Sequence, residues 1–134
     1  MVIDTSAIVA ILLREPDADR FSGCLAEALH RVMSAVTRVE LSFVIEGRYG
    51  ETGRADLERS LRDARIEIAA VTSQQAEIAI DAFRRFGRGR HRAALNIGDC
   101  FSYALAKAMN QPLLFKGNDF IHTDIQPALT PGSA

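Results

Sequence analysis

The chain has 134 residues, of which 48% are hydrophobic and 25% charged, and its formal net charge is −1. That profile excludes a disordered or coiled-coil chain and describes a globular domain able to bury roughly two-thirds of its unfolded surface. Two cysteines, Cys24 and Cys100, are too few for a disulfide framework or a zinc quartet, so both are expected to pack as small hydrophobes in a reducing cytoplasm. Met1 to Ile3 form a short apolar run ending at Asp4, after which Thr5 and Ser6 are expected to cap a helix to about Leu13. The apolar run Ala7 to Leu13 is too short to span a bilayer and no basic segment precedes it, so neither a membrane span nor a targeting signal is expected. Pro16 and Asp17 restart a helix to about His30, with Phe21, Leu25, Ala28 and Leu29 on one face.

Val32 to Ala35 has the pattern of a strand, and Thr37 that of a cap for a helix carrying Val39, Leu41, Phe43, Val44 and Ile45 and ending near Gly47 to Gly50. A charged helix is expected from Glu51 to Arg65, a strand from Ile66 to Val71, and a helix capped by Ser73 to about Phe86. Gly98 and Asp99 open an apolar helix to Met109, Pro112 precedes a strand over Leu113 to Phe115, and a last short strand is expected near Asp124 and Ile125. Residues 1–129 then form a single domain and 130–134 a flexible tail. Short strands alternating with helices imply an α/β fold, a three-layer α/β/α sandwich with a mainly parallel central sheet. Ligands of such sheets bind at the carboxyl ends of the strands.

Among the 16 basic residues only Lys107 and Lys116 are lysines. Arg84, Arg85, Arg88, Arg90 and Arg92 crowd into one acid-free stretch that Gly87 and Gly89 turn into a flexible loop. Guanidinium groups so presented suit phosphates or an acidic partner. Near-neutral net charge therefore excludes a uniformly basic nucleic-acid binder and leaves a local one.

Asp4, Glu40, Asp99 and Asp119 stand apart from the other acids, at a strand end, in first turns of helices and after a strand, where the topology can bring them to one sheet edge. Converging carboxylates repel unless a cation compensates them. Mg²⁺ or Mn²⁺ takes oxygen ligands and keeps several waters, which points to phosphodiester hydrolysis by a metal-activated water. Each acid taken alone serves equally well as a helix cap or a turn residue. The competing function is a non-catalytic RNA- or protein-binding module that uses the arginine loop, with the acids structural. A receiver-type phosphoacceptor domain shares the length and the alternation, but Thr72-Ser73-Gln74 stands where its central Asp would be.

From Met1 to about Ile125 the sequence resembles the PIN-domain family, specifically the VapC-type ribonuclease toxins of bacterial toxin–antitoxin pairs. Met1-Val2-Ile3-Asp4-Thr5-Ser6-Ala7 is similar to the family's first motif and Thr37-Arg38-Val39-Glu40 to its second. Asn96 to Ala106, with Asp99 as its acid, resembles the third; Leu113 to Phe120 and His122-Thr123-Asp124-Ile125 resemble the fourth. The resemblance implies a Mg²⁺- or Mn²⁺-dependent endoribonuclease that is cytoplasmic and cuts RNA needed for translation. It further implies a homodimer, neutralised in a higher assembly by a VapB-type antitoxin, with operator DNA bound only through that antitoxin. Asp4, Glu40 and Asp99 carry over as catalytic metal-site acids. Asp119 is the fourth, two residues beyond the usual family position, which Gly117 holds here. Ser6 or Thr5 would hydrogen-bond an acid or a metal-bound water, and Thr123 would support the loop. The arginines would contact RNA or the antitoxin.

Overall fold

A computed structural model describes residues 1–130. Of the expected tail only Thr130 is among them, and its carbonyl accepts a 3.2 Å hydrogen bond from Arg20; residues 131–134 lie outside the described residues. Four parallel strands, β1 (Val2–Ile3), β2 (Val32–Ser34), β3 (Glu67–Ala69) and β4 (Leu113–Leu114), form one sheet in the order β3-β2-β1-β4. Successive strand residues point to opposite faces. Val2, Val32 and Leu113 therefore enter one core, and Ile3, Met33 and Leu114 the other. Both neighbours of each pair are apolar because both faces of the sheet are covered.

The first core is closed by α4 (Ser73–Phe86) and α5 (Ile97–Met109), through Ala79, Ala82, Cys100, Tyr103 and Ala104. The second is closed by α1 (Thr5–Leu12), α2 (Ala18–Glu27) and α3 (Ala35–Asp63), through Ala7, Phe21, Leu25, Leu41 and Leu57. This is the expected three-layer α/β/α sandwich. The expected pair of helices around Gly47 to Gly50 is α3 itself, broken at Gly50. Gly50 has φ 61° and ψ −145°, a backbone conformation open essentially to glycine alone. Cys24 and Cys100 are both free thiols, Cys100 buried and Cys24 partly so.

Several caps fall on different residues from those expected. Asp4 caps α1 by accepting from the Ser6 amide at 3.1 Å, so Thr5 and Ser6 lie inside the helix. Ser34, bonded to the Val36 amide, caps α3, and Thr37 is fully buried instead. Thr72 rather than Ser73 caps α4 through the Gln75 amide. No strand forms at Asp124 and Ile125. Phe120 is drawn into the core against Phe115, which curls Phe120–His122 into a 3₁₀ turn, and one parallel bridge pairs Leu113 with Pro127. Among the described residues no helix is long and apolar enough to cross a membrane.

Candidate active site at the carboxyl edge of the sheet

The chain runs from β1 to β2 to β3 and then crosses to β4 on the other side of β1. The strand order thus reverses between β1 and β4, the place where parallel α/β sheets open a crevice. Asp4 leaves β1 at this point with only 3% of its surface exposed. A carboxylate so buried must have its oxygens satisfied. Its Oδ2 accepts from the Ser6 hydroxyl at 2.7 Å and the Ser6 amide at 3.1 Å, and its Oδ1 accepts from the Ser102 hydroxyl at 2.6 Å. The Ser6 oxygen in turn accepts from the Lys116 amide at 2.9 Å, tying Asp4 to the segment that follows β4. Behind Ser102, the Thr37 hydroxyl lies 3.2 Å away.

Glu40 projects from the early turns of α3 and accepts a hydrogen bond from the Thr5 hydroxyl. A Cβ at residue 98 would collide with the Glu40 carboxylate, so Gly98 is what lets the acid of α3 lie against the first turn of α5. Asp99 shares a reciprocal capping box with Asn96, the Asp99 amide donating at 2.9 Å and the Asn96 amide donating to Asp99 at 3.0 Å. Burial, followed by the charges of Asp4, Asp119 and Glu40, pushes the Asp99 carboxyl up to about 7 against the opposing hydrogen bond from Asn96. Asp119 is exposed just before the 3₁₀ turn, caps nothing with its side chain, and follows Gly117, whose φ of 100° reverses the chain. Thr123 braces this loop: its hydroxyl donates to the Phe120 carbonyl at 2.7 Å and accepts from the Ile125 amide at 3.2 Å.

The structure thus brings the four sequence-selected acids to one edge, with Ser6 bonded to Asp4 and Thr5 to Glu40, while Thr123 bonds only within its own loop. None of the four has an ion-pair partner among the described residues. Lys116, next to the site in the chain, turns its ammonium to Glu15 and Asp17. An all-oxygen donor set short of positive charge, with one member forced toward its neutral form, fits a hard divalent cation. The side chains do not close into a cage, since no group of three His, Cys, Asp or Glu among the described residues is arranged to hold an ion. Mg²⁺ needs no such cage, because it keeps several waters and takes only one or two carboxylates.

The arginines are differently disposed from the expected flexible run. Arg84 and Arg85 belong to the last turn of α4. Arg85 is engaged rather than free, 3.7 Å from both Asp81 and Asp124, 3.5 Å from the Tyr103 hydroxyl, and over the Phe86 ring. Phe86 itself is core. The loop after it is pinned at its neck, where the Leu95 amide donates to Phe86 and the Arg88 amide to Leu95, both at 3.0 Å. Arg84, Arg88, Arg90 and Arg92 remain exposed, Arg90 over the Phe83 ring. Two residues at the site escaped the sequence reading, Thr37 and Ser102. The one available signal was a hydroxyl at Ser102 within the otherwise apolar stretch Cys100 to Leu105, three residues after Asp99.

Comparison with known proteins extends over nearly the whole chain. The PIN domain family model matches residues 1–126. The chain is 52% identical over 131 residues to Ribonuclease VapC30 of Mycobacterium tuberculosis, covering 98% of this chain and 100% of that protein. Among solved structures, Mycobacterium tuberculosis VapC20, described as a Sarcin-Ricin loop cleaving toxin, superposes with a TM-score of 0.73 over 92% of this chain and 95% of that one, at 16% identity. VapBC2 of Rickettsia felis, solved bound to a DNA fragment from its promoter, gives a TM-score of 0.68 at 16% identity over 94% of each chain.

Proposed function

Because the chain belongs to the PIN-domain family, and within it to the VapC ribonucleases, we propose that its ribonuclease activity resides in Asp4, Glu40, Asp99 and Asp119 and depends on Mg²⁺ or Mn²⁺. The protein is the ribonuclease toxin of a toxin–antitoxin pair. When bound, the ion would supply the positive charge and the lowering of water's pKa that phosphodiester hydrolysis requires. Ser6 and Ser102 hold the two oxygens of Asp4, Thr5 orients Glu40, and the Asn96 amide fixes Asp99. The observation that carries this reading is the meeting of Asp4, Glu40, Asp99 and Asp119 at one sheet edge, where none of them has an ion-pair partner among the described residues. Chelation tests it. EDTA is expected to stop cleavage of RNA, and added Mg²⁺ or Mn²⁺ to restore it; undiminished cleavage in EDTA would sink the metal dependence.

Arg84, Arg88, Arg90 and Arg92 supply the exposed positive charge for RNA phosphates, with Arg85 reserved for holding Asp124. Removing one arginine from a phosphate should flatten the salt dependence of RNA binding, by about 0.7 in log–log slope for a single strand. Alanine at Arg88, Arg90 and Arg92 is therefore expected to weaken RNA binding and lower that slope stepwise. Weakened antitoxin binding with an unchanged slope would reassign the loop. The toxin acts in the cytoplasm as a homodimer, a VapB-type antitoxin neutralises it in a higher assembly, and operator DNA is reached only through that antitoxin.

A further inference from the structure

We propose that Ser102 and Thr37 are positioning residues that aim Oδ1 of Asp4 into the site, an inference that rests on the reading of Asp4 as a metal-site acid. Both side chains are fully buried, so neither can exchange its partner for water. A carboxylate only accepts, so the single Ser102 proton goes to Asp4, and the hydroxyl proton between Thr37 and Ser102 must come from Thr37. The result is a directed chain from α3 through α5 to the acid at the end of β1. Its counterpart on the other oxygen runs from the Lys116 amide through Ser6.

The two oxygens of Asp4 are consequently not equivalent. Oδ2 already accepts two hydrogen bonds, both from Ser6, whereas Oδ1 accepts one, from Ser102. The lone pair left on Oδ1 is the one available to a cation, and Ser102 sets its direction. Opposed donors on the two oxygens also fix the rotation of the carboxylate about its Cβ–Cγ bond. Thr37 contributes by donating to the Ser102 oxygen, which removes Thr37 as an acceptor for the serine proton and leaves that proton directed at Asp4.

Mn²⁺ titration calorimetry on the folded full chain tests this, with melting in EDTA run alongside. Ser102→Ala is expected to weaken Mn²⁺ binding about tenfold and Thr37→Val roughly threefold. The double variant should bind no more weakly than Ser102→Ala, because Thr37 acts through Ser102. A purely structural role would lower the melting temperature in EDTA and leave the Mn²⁺ affinity of the folded protein alone. Should Ser102→Ala not fold, Thr37→Val, which keeps the side-chain shape, supplies the same comparison. Wild-type Mn²⁺ affinity in these variants, with affinity abolished in Asp4→Asn, overturns the positioning roles while the metal site stands. Wild-type affinity in Asp4→Asn overturns the metal site and this inference together.

Discussion

Asp4→Asn is expected to reduce RNA cleavage by about three orders of magnitude in a protein that still folds. Several kcal/mol of charge stabilisation from a bound cation translates into roughly that factor in rate. The change is nearly isosteric, and asparagine is as good an N-cap as aspartate, so α1 keeps its first turn. The remaining carbonyl oxygen can accept from Ser6 or from Ser102 but not from both, since the new amide nitrogen donates where it formerly accepted. One hydroxyl therefore loses its partner, at a cost of about 1–3 kcal/mol in stability. Single-turnover cleavage with excess Mn²⁺, together with a circular-dichroism melt, checks both halves. Cleavage within tenfold of wild type would show that Asp4 is a structural cap and no more.

Asp99→Asn is expected to have the same effect on cleavage and the opposite effect on the stability of the metal-free protein. The carboxyl titrates near 3.9 when unfolded and at about 7 when folded. Below pH 4 both states hold the proton and nothing is lost. Between about pH 4 and 7 the unfolded chain releases its proton while the folded protein retains it, so stability falls as pH rises, then levels above 7. In EDTA the Asp99 contribution thus favours pH 5 over pH 8. Asn at the same place accepts from the Asn96 amide without this penalty. At pH 8 it should be more stable by on the order of 2 kcal/mol, several degrees in melting temperature, after allowance for solvent screening. Mn²⁺ should reverse the order by stabilising only the wild type. Melting curves at pH 5 and 8, in EDTA and in Mn²⁺, decide it; a wild type in EDTA that gains as much stability from pH 5 to 8 as Asp99→Asn would refute the raised pKa.

The strands β1, β2 and β4 were legible because each carries two adjacent apolar residues, one for each covered face of the sheet, whereas β3 is an exposed edge strand with Ile68 42% exposed. The acids were legible as a set, while their capping and site roles could not be separated. The structure explains this, for Asp4 and Asp99 are N-terminal helix residues whose side chains bond the helix backbone at the same edge where the four acids meet. Composition alone showed five clustered arginines but not that Arg85 is claimed by Asp124, a pairing fixed only when the segment after β4 packs on α5. Thr37 looked like a cap because hydroxyls before apolar runs usually are. Ser34 took that place, and the partner of Thr37, Ser102, lies 65 residues away, beyond any local pattern. A last strand was expected near Asp124 and Ile125, but the chain pairs with β4 only beyond them, where the Leu113 amide donates to the Gln126 carbonyl and the Ala128 amide to Leu113, leaving a single bridge at Pro127.

The position of β1 between β2 and β4 has a consequence for how the protein comes off the ribosome. Its first strand is central, and one flank of that strand stays bare until β4 has been synthesised. Asp4 is in the same situation: Ser102 and the Lys116 amide, which hold it, are made almost a full chain later. A nascent or prematurely terminated chain that lacks α5 and β4 has no organised acid at the end of β1. In a chain built this way, the acid at the end of β1 gains its distant partners only once α5 and the segment after β4 have been made.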